Sequence, residues 1–105
     1  MSAAAKTTAQ NLINENAVVV FSKSYCPYCK ASKDLLNSLD AKFTTLELDL
    51  EKDGDAIQNA LQEISGQRTV PNIYINKKHI GGNSDLQSLQ QKKELTALLA
   101  AAGAV

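Results

Sequence analysis

The chain has 105 residues, 44% of them hydrophobic, with 11 basic against 11 acidic side chains, two cysteines and no tryptophan. One domain over residues 1–105 is expected, since a chain of this length buries roughly 65% of its unfolded surface and needs no disulfide staple or structural metal to form a core. Zero net charge argues against a nucleic-acid partner, because neutralising several phosphates takes a basic face.

Met1 to Asn16 holds no basic stretch followed by an apolar run and no arginine-rich amphipathic pattern, so neither export nor organelle targeting is expected. No apolar stretch approaches the roughly 20 residues of a membrane span. The expected setting is the reducing cytoplasm, where a C-x-x-C pair reads as catalytic or metal-binding before it reads as a permanent crosslink.

Ala5, Ala9, Leu12 and Ile13 make one apolar stripe on a first helix ending near Asn16. Ala17 to Phe21 reads as a strand that is apolar on both faces, as in a sheet covered by helices on both sides. A polar turn follows, and Pro27 suits the first turn of a second helix, which buries Ala31, Leu35, Leu36 and Leu39. Leu46, Leu48 and Leu50 alternate with Glu47, Asp49 and Glu51, which predicts a strand with one face in the core. Strand, helix, strand closes as a right-handed parallel unit. A third helix carries Ile57, Ala60, Leu61 and Ile64, with Asp53 or Asp55 as its cap and Gly66 past its end.

Ile73 to Ile75 and His79 to Ile80 form an antiparallel hairpin whose turn has Lys77 where glycine would be favoured. Gly81 and Gly82 break the strand, Ser84 or Asp85 caps a fourth helix through Leu86 and Leu89, and Leu95, Leu98 and Leu99 continue a helical C-terminus. The tail from Ala100 to Val105 is weakly specified and is expected to fray. The fold class is α/β, helices around a small mixed sheet.

Cys26-Pro27-Tyr28-Cys29 falls between a strand and a helix. Free N–H groups at the helix start, together with Lys23, favour an anion at Cys26, and cysteines so placed reach pKa values of about 3.5 to 7.5. Cys29, one turn further in, is expected to be buried. Cys26 is the attacker and Cys29 the resolver. Lowering a thiol from about 8.5 to about 4.5 raises its thiolate fraction at pH 7 roughly 30-fold, while a Brønsted slope near 0.45 lowers its nucleophilicity roughly 60-fold. The gain is therefore in leaving ability, which speeds the step that frees Cys26 from a mixed disulfide. A zinc site would need two further ligands where only His79 and carboxylates remain, so no metal is expected.

Three separated motifs, Lys23-Ser-Tyr-Cys-Pro-Tyr-Cys29, Arg68-Thr-Val-Pro71 and Gly81-Gly-Asn-Ser-Asp85, closely resemble those of the dithiol glutaredoxins, over essentially the whole chain. The resemblance implies the thioredoxin fold, a four-stranded mixed sheet flanked by about five helices, and a cis Val70-Pro71 bond. It implies a glutathione-dependent thiol–disulfide oxidoreductase acting on glutathionylated proteins through Cys26 and on protein disulfides through Cys26 and Cys29. Glutathione is then the co-substrate, with NADPH entering through glutathione reductase. No tightly bound cofactor, nucleic acid or membrane is implied, and the chain is expected to be a monomer.

The same resemblance puts the cysteinyl part of glutathione against Thr69, Val70 and Pro71. It puts the γ-glutamyl end at Gly81, Gly82, Asn83, Ser84 and Asp85, and the glycyl carboxylate near Lys23, Gln58 and Arg68. Tyr28 flanks the tripeptide, and Tyr25 shapes the loop. His79 reads as a strand residue without a catalytic part, and Lys77 and Lys78 as a solvated turn. Asn83 stands where some relatives carry a further cysteine, and C-P-Y-C departs from the C-G-F-S site of relatives associated with iron–sulfur handling. Two other readings remain, an iron–sulfur carrier and a thioredoxin-like reductant.

Overall fold

The computed structural model describes residues 3–105. Strand β1 (Val18–Ser22) is buried at every position and lies at the centre of a four-stranded sheet in the order β2-β1-β3-β4. It pairs in parallel with β2 (Thr44–Glu47) and antiparallel with β3 (Asn72–Ile75), which continues into β4 (Lys78–Gly81) through an antiparallel hairpin. The mixed α/β sheet expected from the sequence is present, as are five α-helices among the described residues.

Alternation along β1 explains why all its positions are apolar up to Phe21. Val18 and Val20 face one core with Leu36, Ile73, Ile75, Leu86, Leu95 and Leu99, which brings α2 (Pro27–Ser38), α4 (Asn83–Gln91) and α5 (Leu95–Ala101) onto one side. Val19 and Phe21 face the other with Ala5, Ala9, Ile13, Ile57 and Leu61, which places α1 (Ala3–Glu15) and α3 (Gly54–Ser65) opposite. A strand sealed on both faces has no position where a polar side chain would be solvated.

Four details differ from the sequence expectations. The strand expected over Leu46 to Glu51 stops at Glu47, and Leu48–Leu50 is a 3-10 turn that leaves Leu50 exposed. The ladder explains this, because Ser22 opposite Glu47 is the last pair and beyond it β2 has no partner. The turn is held close to α3: a Cβ on Gly54 would lie 1.8 Å from the Leu48 carbonyl oxygen, so only glycine fits there. Asp53 stands at the N-cap position of α3, as expected, and its carbonyl accepts the Ile57 N–H at 3.0 Å, but its side chain makes no capping bond; Gly66 ends the helix in the left-handed conformation, as expected. Helix α4 starts from Gly82, not from Ser84 or Asp85, and Asp85 instead reaches back to accept the Gly82 N–H at 2.9 Å.

The tail does not fray. Ala104 is buried, its N–H donates to the Leu99 carbonyl at 2.9 Å, and its own carbonyl accepts the Lys42 N–H at 2.8 Å. The hairpin turn is a two-residue turn with positive φ at both Asn76 and Lys77, the handedness that matches strand twist. Asn76 also donates its N–H to the Ala17 carbonyl at 2.8 Å, which ties this lysine-bearing turn to the sheet. Among the described residues no helix is long and apolar enough to cross a membrane.

Candidate active site

The end of β1 delivers the chain to Cys26, which is the N-cap of α2, in extended backbone conformation, with Pro27 in the first turn. The Cys26 N–H donates to the Lys23 carbonyl at 3.0 Å and closes the turn, while the Cys26 carbonyl accepts the Lys30 N–H at 3.1 Å and begins the helix. The helix direction then aims the Cys29 N–H at Cys26 Sγ, 3.2 Å away. A sulfur in this position takes the role that serine or aspartate oxygens take at other helix starts, and a hydrogen bond of this kind is stronger to a charged acceptor.

The two thiols are unequal, as the spacing predicted. Cys26 is partly exposed and Cys29 is fully buried. Burial pushes the Cys29 thiol up to about 11, and the adjacent Cys26 sulfur pushes in the same direction, while the Lys23 backbone and the Ser22 hydroxyl pull weakly the other way. The Ser22 hydroxyl that reaches Cys29 is itself completely buried, as is Ser32 on the same helix as Cys29.

The loop carrying Cys26 is held from the 3-10 turn. Asp49 accepts the Ser24 N–H through Oδ1 at 2.8 Å and the Ser24 hydroxyl through Oδ2. The Ser24 hydroxyl, then its N–H, and more weakly the Lys23 charge hold the Asp49 carboxyl below its usual range. No sequence signal links Ser24 to Asp49, 25 residues away; the period-2 pattern concealed it by suggesting that Asp49 was the solvent face of a strand.

Opposite Cys26, the Val70-Pro71 peptide bond is cis, and the Val70 carbonyl oxygen lies 4.0 Å from Cys26 Sγ. A cleft of about 300 Å³ opens beside it, lined by Tyr28, Thr69, Val70, Pro71, Gly82, Asn83 and Ser84. Seven of the residues singled out in the sequence thus share one cavity. Tyr28 stands at its rim, largely exposed, and Tyr25 points out of the loop beside it to a similar extent.

The far wall depends on glycine chemistry at Gly81. Its φ of +122° is a region that side chains rarely adopt, and a Cβ there would sit 2.2 Å from Asp85 Oδ2, the atom that caps α4. Asn83 joins this wall to α2: its Oδ1 accepts the buried Ser32 hydroxyl at 2.8 Å and the Gln87 amide at 3.2 Å. Ser32 gave no signal in the sequence, because a serine between helical leucines reads as surface.

Besides Gly81, four expected residues lie outside the cleft lining. Lys23 is half-buried in the turn before Cys26, Asp85 faces the groove between β4 and α4, and Arg68 is exposed with its Nε donating to Asn59 Oδ1 at 3.0 Å. Gln58 is buried, and its Nε2 donates to the Arg68 carbonyl at 2.7 Å, so its side chain holds the connection leading to the cis bond. His79 belongs to β4 and contacts the Tyr74 ring, and burial lowers its pKa. Among the described residues no group of three or more His, Cys, Asp or Glu side chains is gathered to hold a metal ion.

An accessible sulfur at a helix start, a buried second sulfur one turn on and a cleft beside them can carry out thiol exchange. A family model described as Glutaredoxin matches residues 18–80. A glutaredoxin of Vernicia fordii is 55% identical over 97 residues, spanning 92% of this chain and 93% of that one. One from Ricinus communis is 52% identical over 101 residues, spanning 96% of this chain and 99% of its own. The solved buckwheat glutaredoxin–glutathione complex superimposes with a TM-score of 0.95 at 48% identity, over 97% of this chain and 93% of that chain.

Proposed function

The chain belongs to the glutaredoxin family, and from that membership we propose that it is a glutathione-dependent thiol–disulfide oxidoreductase with Cys26 as its nucleophile. The observation that carries the reading is the placing of the partly exposed Cys26 sulfur at the start of α2, 4.0 Å from the Val70 carbonyl at the edge of the cleft, with Cys29 buried behind it.

In the one-cysteine route the Cys26 thiolate attacks the glutathione sulfur of a glutathionylated protein. The old disulfide breaks, the protein sulfur leaves and takes a proton, and Cys26 carries glutathione. A second glutathione thiolate attacks the glutathione sulfur of that mixed disulfide, frees Cys26 and leaves as oxidised glutathione. The Cys29 N–H supports the departing Cys26 sulfur at the moment when its charge develops. In the two-cysteine route the Cys26 thiolate attacks one sulfur of a protein disulfide, the other leaves and takes a proton, and Cys29 then attacks Cys26 Sγ and releases the second protein thiol. Two glutathiones then reduce the Cys26–Cys29 pair. Glutathione reductase, drawing on NADPH, returns the oxidised glutathione to use.

Val70 offers the bound tripeptide a backbone edge, as an added strand would be offered one. Thr69 and Pro71 flank it, and Tyr28 covers the ligand. The α4 start presents the N–H groups of Asn83 and Ser84 to the γ-glutamyl carboxylate, Gly82 lets the ligand approach, and Asp85, whose carboxylate holds the Gly82 N–H beside the cleft, is the charge for the ammonium. Lys23 meets the glycyl carboxylate by charge, whereas Gln58 acts through Arg68, whose backbone it holds. The chain works as a monomer in the cytoplasm, and its balanced charge leaves no broad surface for a polyanion.

Turnover of a glutathione mixed disulfide by the unaltered protein, Cys26→Ser and Cys29→Ser tests this reading. Cys26→Ser is expected to be inactive and Cys29→Ser to retain turnover. Activity in Cys26→Ser, or its complete loss in Cys29→Ser, overturns the assignment of roles.

A further inference from the structure

We propose that Gln67, itself held by His79, is a positioning residue that fixes the Val70 backbone for glutathione; the inference rests on the oxidoreductase reading above. Gln67 lies in the connection between α3 and β3, and its side-chain amide occupies the inside of the bend that contains the cis bond. Nε2 donates to two carbonyls, Thr69 O at 3.0 Å and Pro71 O at 2.9 Å. Those carbonyls stand on either side of Val70, so one amide group with two hydrogens spans the residue between them. The Val70 side chain packs against the core, and its peptide groups are left available. Among the described residues its N–H meets no protein acceptor, and its carbonyl faces only the Cys26 sulfur.

The other end of the amide is tied to the sheet. Gln67 Oε1 lies 2.9 Å from His79 Nε2. Because Nε2 of the glutamine must face two carbonyls, its oxygen must face the imidazole, and His79 Nε2 is therefore the donor. His79 is opposite Tyr74 in the β3–β4 ladder and contacts its ring at a centroid distance of 5.2 Å, so the donor's place is set by the sheet. The Gln67 backbone is also engaged: its N–H reaches Ser65 Oγ at 3.3 Å and its carbonyl accepts the Asn72 side-chain amide at 3.2 Å. A chain of contacts thus runs from Tyr74 through His79 and Gln67 to both sides of Val70.

Thr69 and Arg68 are exposed; the Gln58 amide holds the approach to the bend at the Arg68 carbonyl and the Val70 side chain packs on the core, while the Gln67 amide ties the two peptide groups that flank Val70. Without the amide, the bend's ordering would have to be completed by the ligand, which weakens binding of glutathione without altering the reacting sulfurs. Losing two hydrogen bonds at a binding edge raises KM by about tenfold.

The test compares steady-state kinetics of the unaltered protein, Gln67→Ala and His79→Phe, with glutathione varied against a glutathione mixed disulfide. Gln67→Ala is expected to raise the glutathione KM about tenfold with kcat within about twofold, and His79→Phe, which keeps a ring on Tyr74, to raise it less. An unchanged KM in Gln67→Ala, or an equal fall in kcat at constant KM, overturns the proposal. NMR order parameters at Arg68, Thr69 and Val70, read without glutathione, are expected to fall in Gln67→Ala. Unchanged order there overturns the positioning role whether or not the protein turns over glutathione. Absence of turnover in the unaltered protein refutes the oxidoreductase reading instead.

Discussion

Cys29 is buried and its thiol stands at about 11, against an ordinary 9.0. That sets a measurable speed for the step in which it resolves a mixed disulfide. At pH 7 the full shift lowers the thiolate fraction about 100-fold, while a Brønsted slope of about 0.4–0.5 returns about six- to tenfold in nucleophilicity, which bounds the slowing of the resolving step at about 15-fold. Capping Cys26 removes that sulfur's share of the upward shift, but burial, the larger cause, persists. The resolving rate is therefore expected to climb close to tenfold per pH unit through the neutral range and to keep climbing beyond pH 9.0. The assay loads Cys26 with a coloured aromatic thiol as a mixed disulfide and follows its release by stopped flow over a pH series. Cys29→Ser supplies the baseline, because in that variant no internal thiol can displace the dye. A rate that levels off below pH 9.0 would falsify the account, since it would mean that Cys29 ionises as readily as a solvated thiol.

Replacing Gly81 with alanine drives a Cβ into the Asp85 carboxylate at 2.2 Å and forces a side chain to φ +122°. The expected loss is about 1–3 kcal/mol in urea denaturation, with a raised glutathione KM because the α4 start shifts. Ser32→Ala removes the hydroxyl that donates to Asn83 Oδ1; a fall of about 1 kcal/mol in unfolding free energy is expected, and an unchanged denaturation midpoint would show that this bond does not tie α2 to α4. Asp49 has a depressed pKa in the fold, so its bonds to Ser24 stabilise above the ordinary value of 3.8 and are lost as pH falls through the lower folded value. In Asp49→Asn that part of the acid limb of a stability-against-pH curve is expected to vanish, and a curve superimposable on that of the unaltered protein would count against the clamp.

The fold was legible wherever a single periodicity ran unopposed. Val18 to Phe21 could only be a central strand, and Ile57, Ala60, Leu61 and Ile64 could only be one face of a helix. Pattern failed where a partner decided the outcome. Leu46, Leu48 and Leu50 keep strand period, yet pairing ends opposite Ser22, and the last of them turns to solvent. The tail failed similarly: Ala104 has too small a side chain to register as core, but its backbone is fixed by Lys42.

At the site, Cys26 and Cys29 were visible because strand, proline and helix period together place them at a helix start. Thr69, Val70, Pro71, Gly82, Asn83 and Ser84 came from the family resemblance, and the geometry gathers them with Tyr28 around one cleft. The supporting contacts were not legible, because Ser24–Asp49, Ser32–Asn83 and Gln67–His79 join residues with ordinary surface chemistry across 25, 51 and 12 positions. Such pairs exist only once the backbone has brought them together.

The bond from the Cys29 N–H to Cys26 Sγ also links two equilibria usually measured apart. A thiolate sulfur accepts that N–H more strongly than the same atom does within a disulfide, so wherever Cys26 reacts as its thiolate the bond favours the reduced fold over the folded disulfide. Free energies around the cycle of folding and oxidation must close. Whatever this contact adds to the stability of the reduced fold, it adds equally to the oxidising strength of the folded disulfide relative to the same two cysteines in an unfolded chain. Through this contact the helix start acts as an electron sink, and conformational stability is the quantity in which that bias is stored.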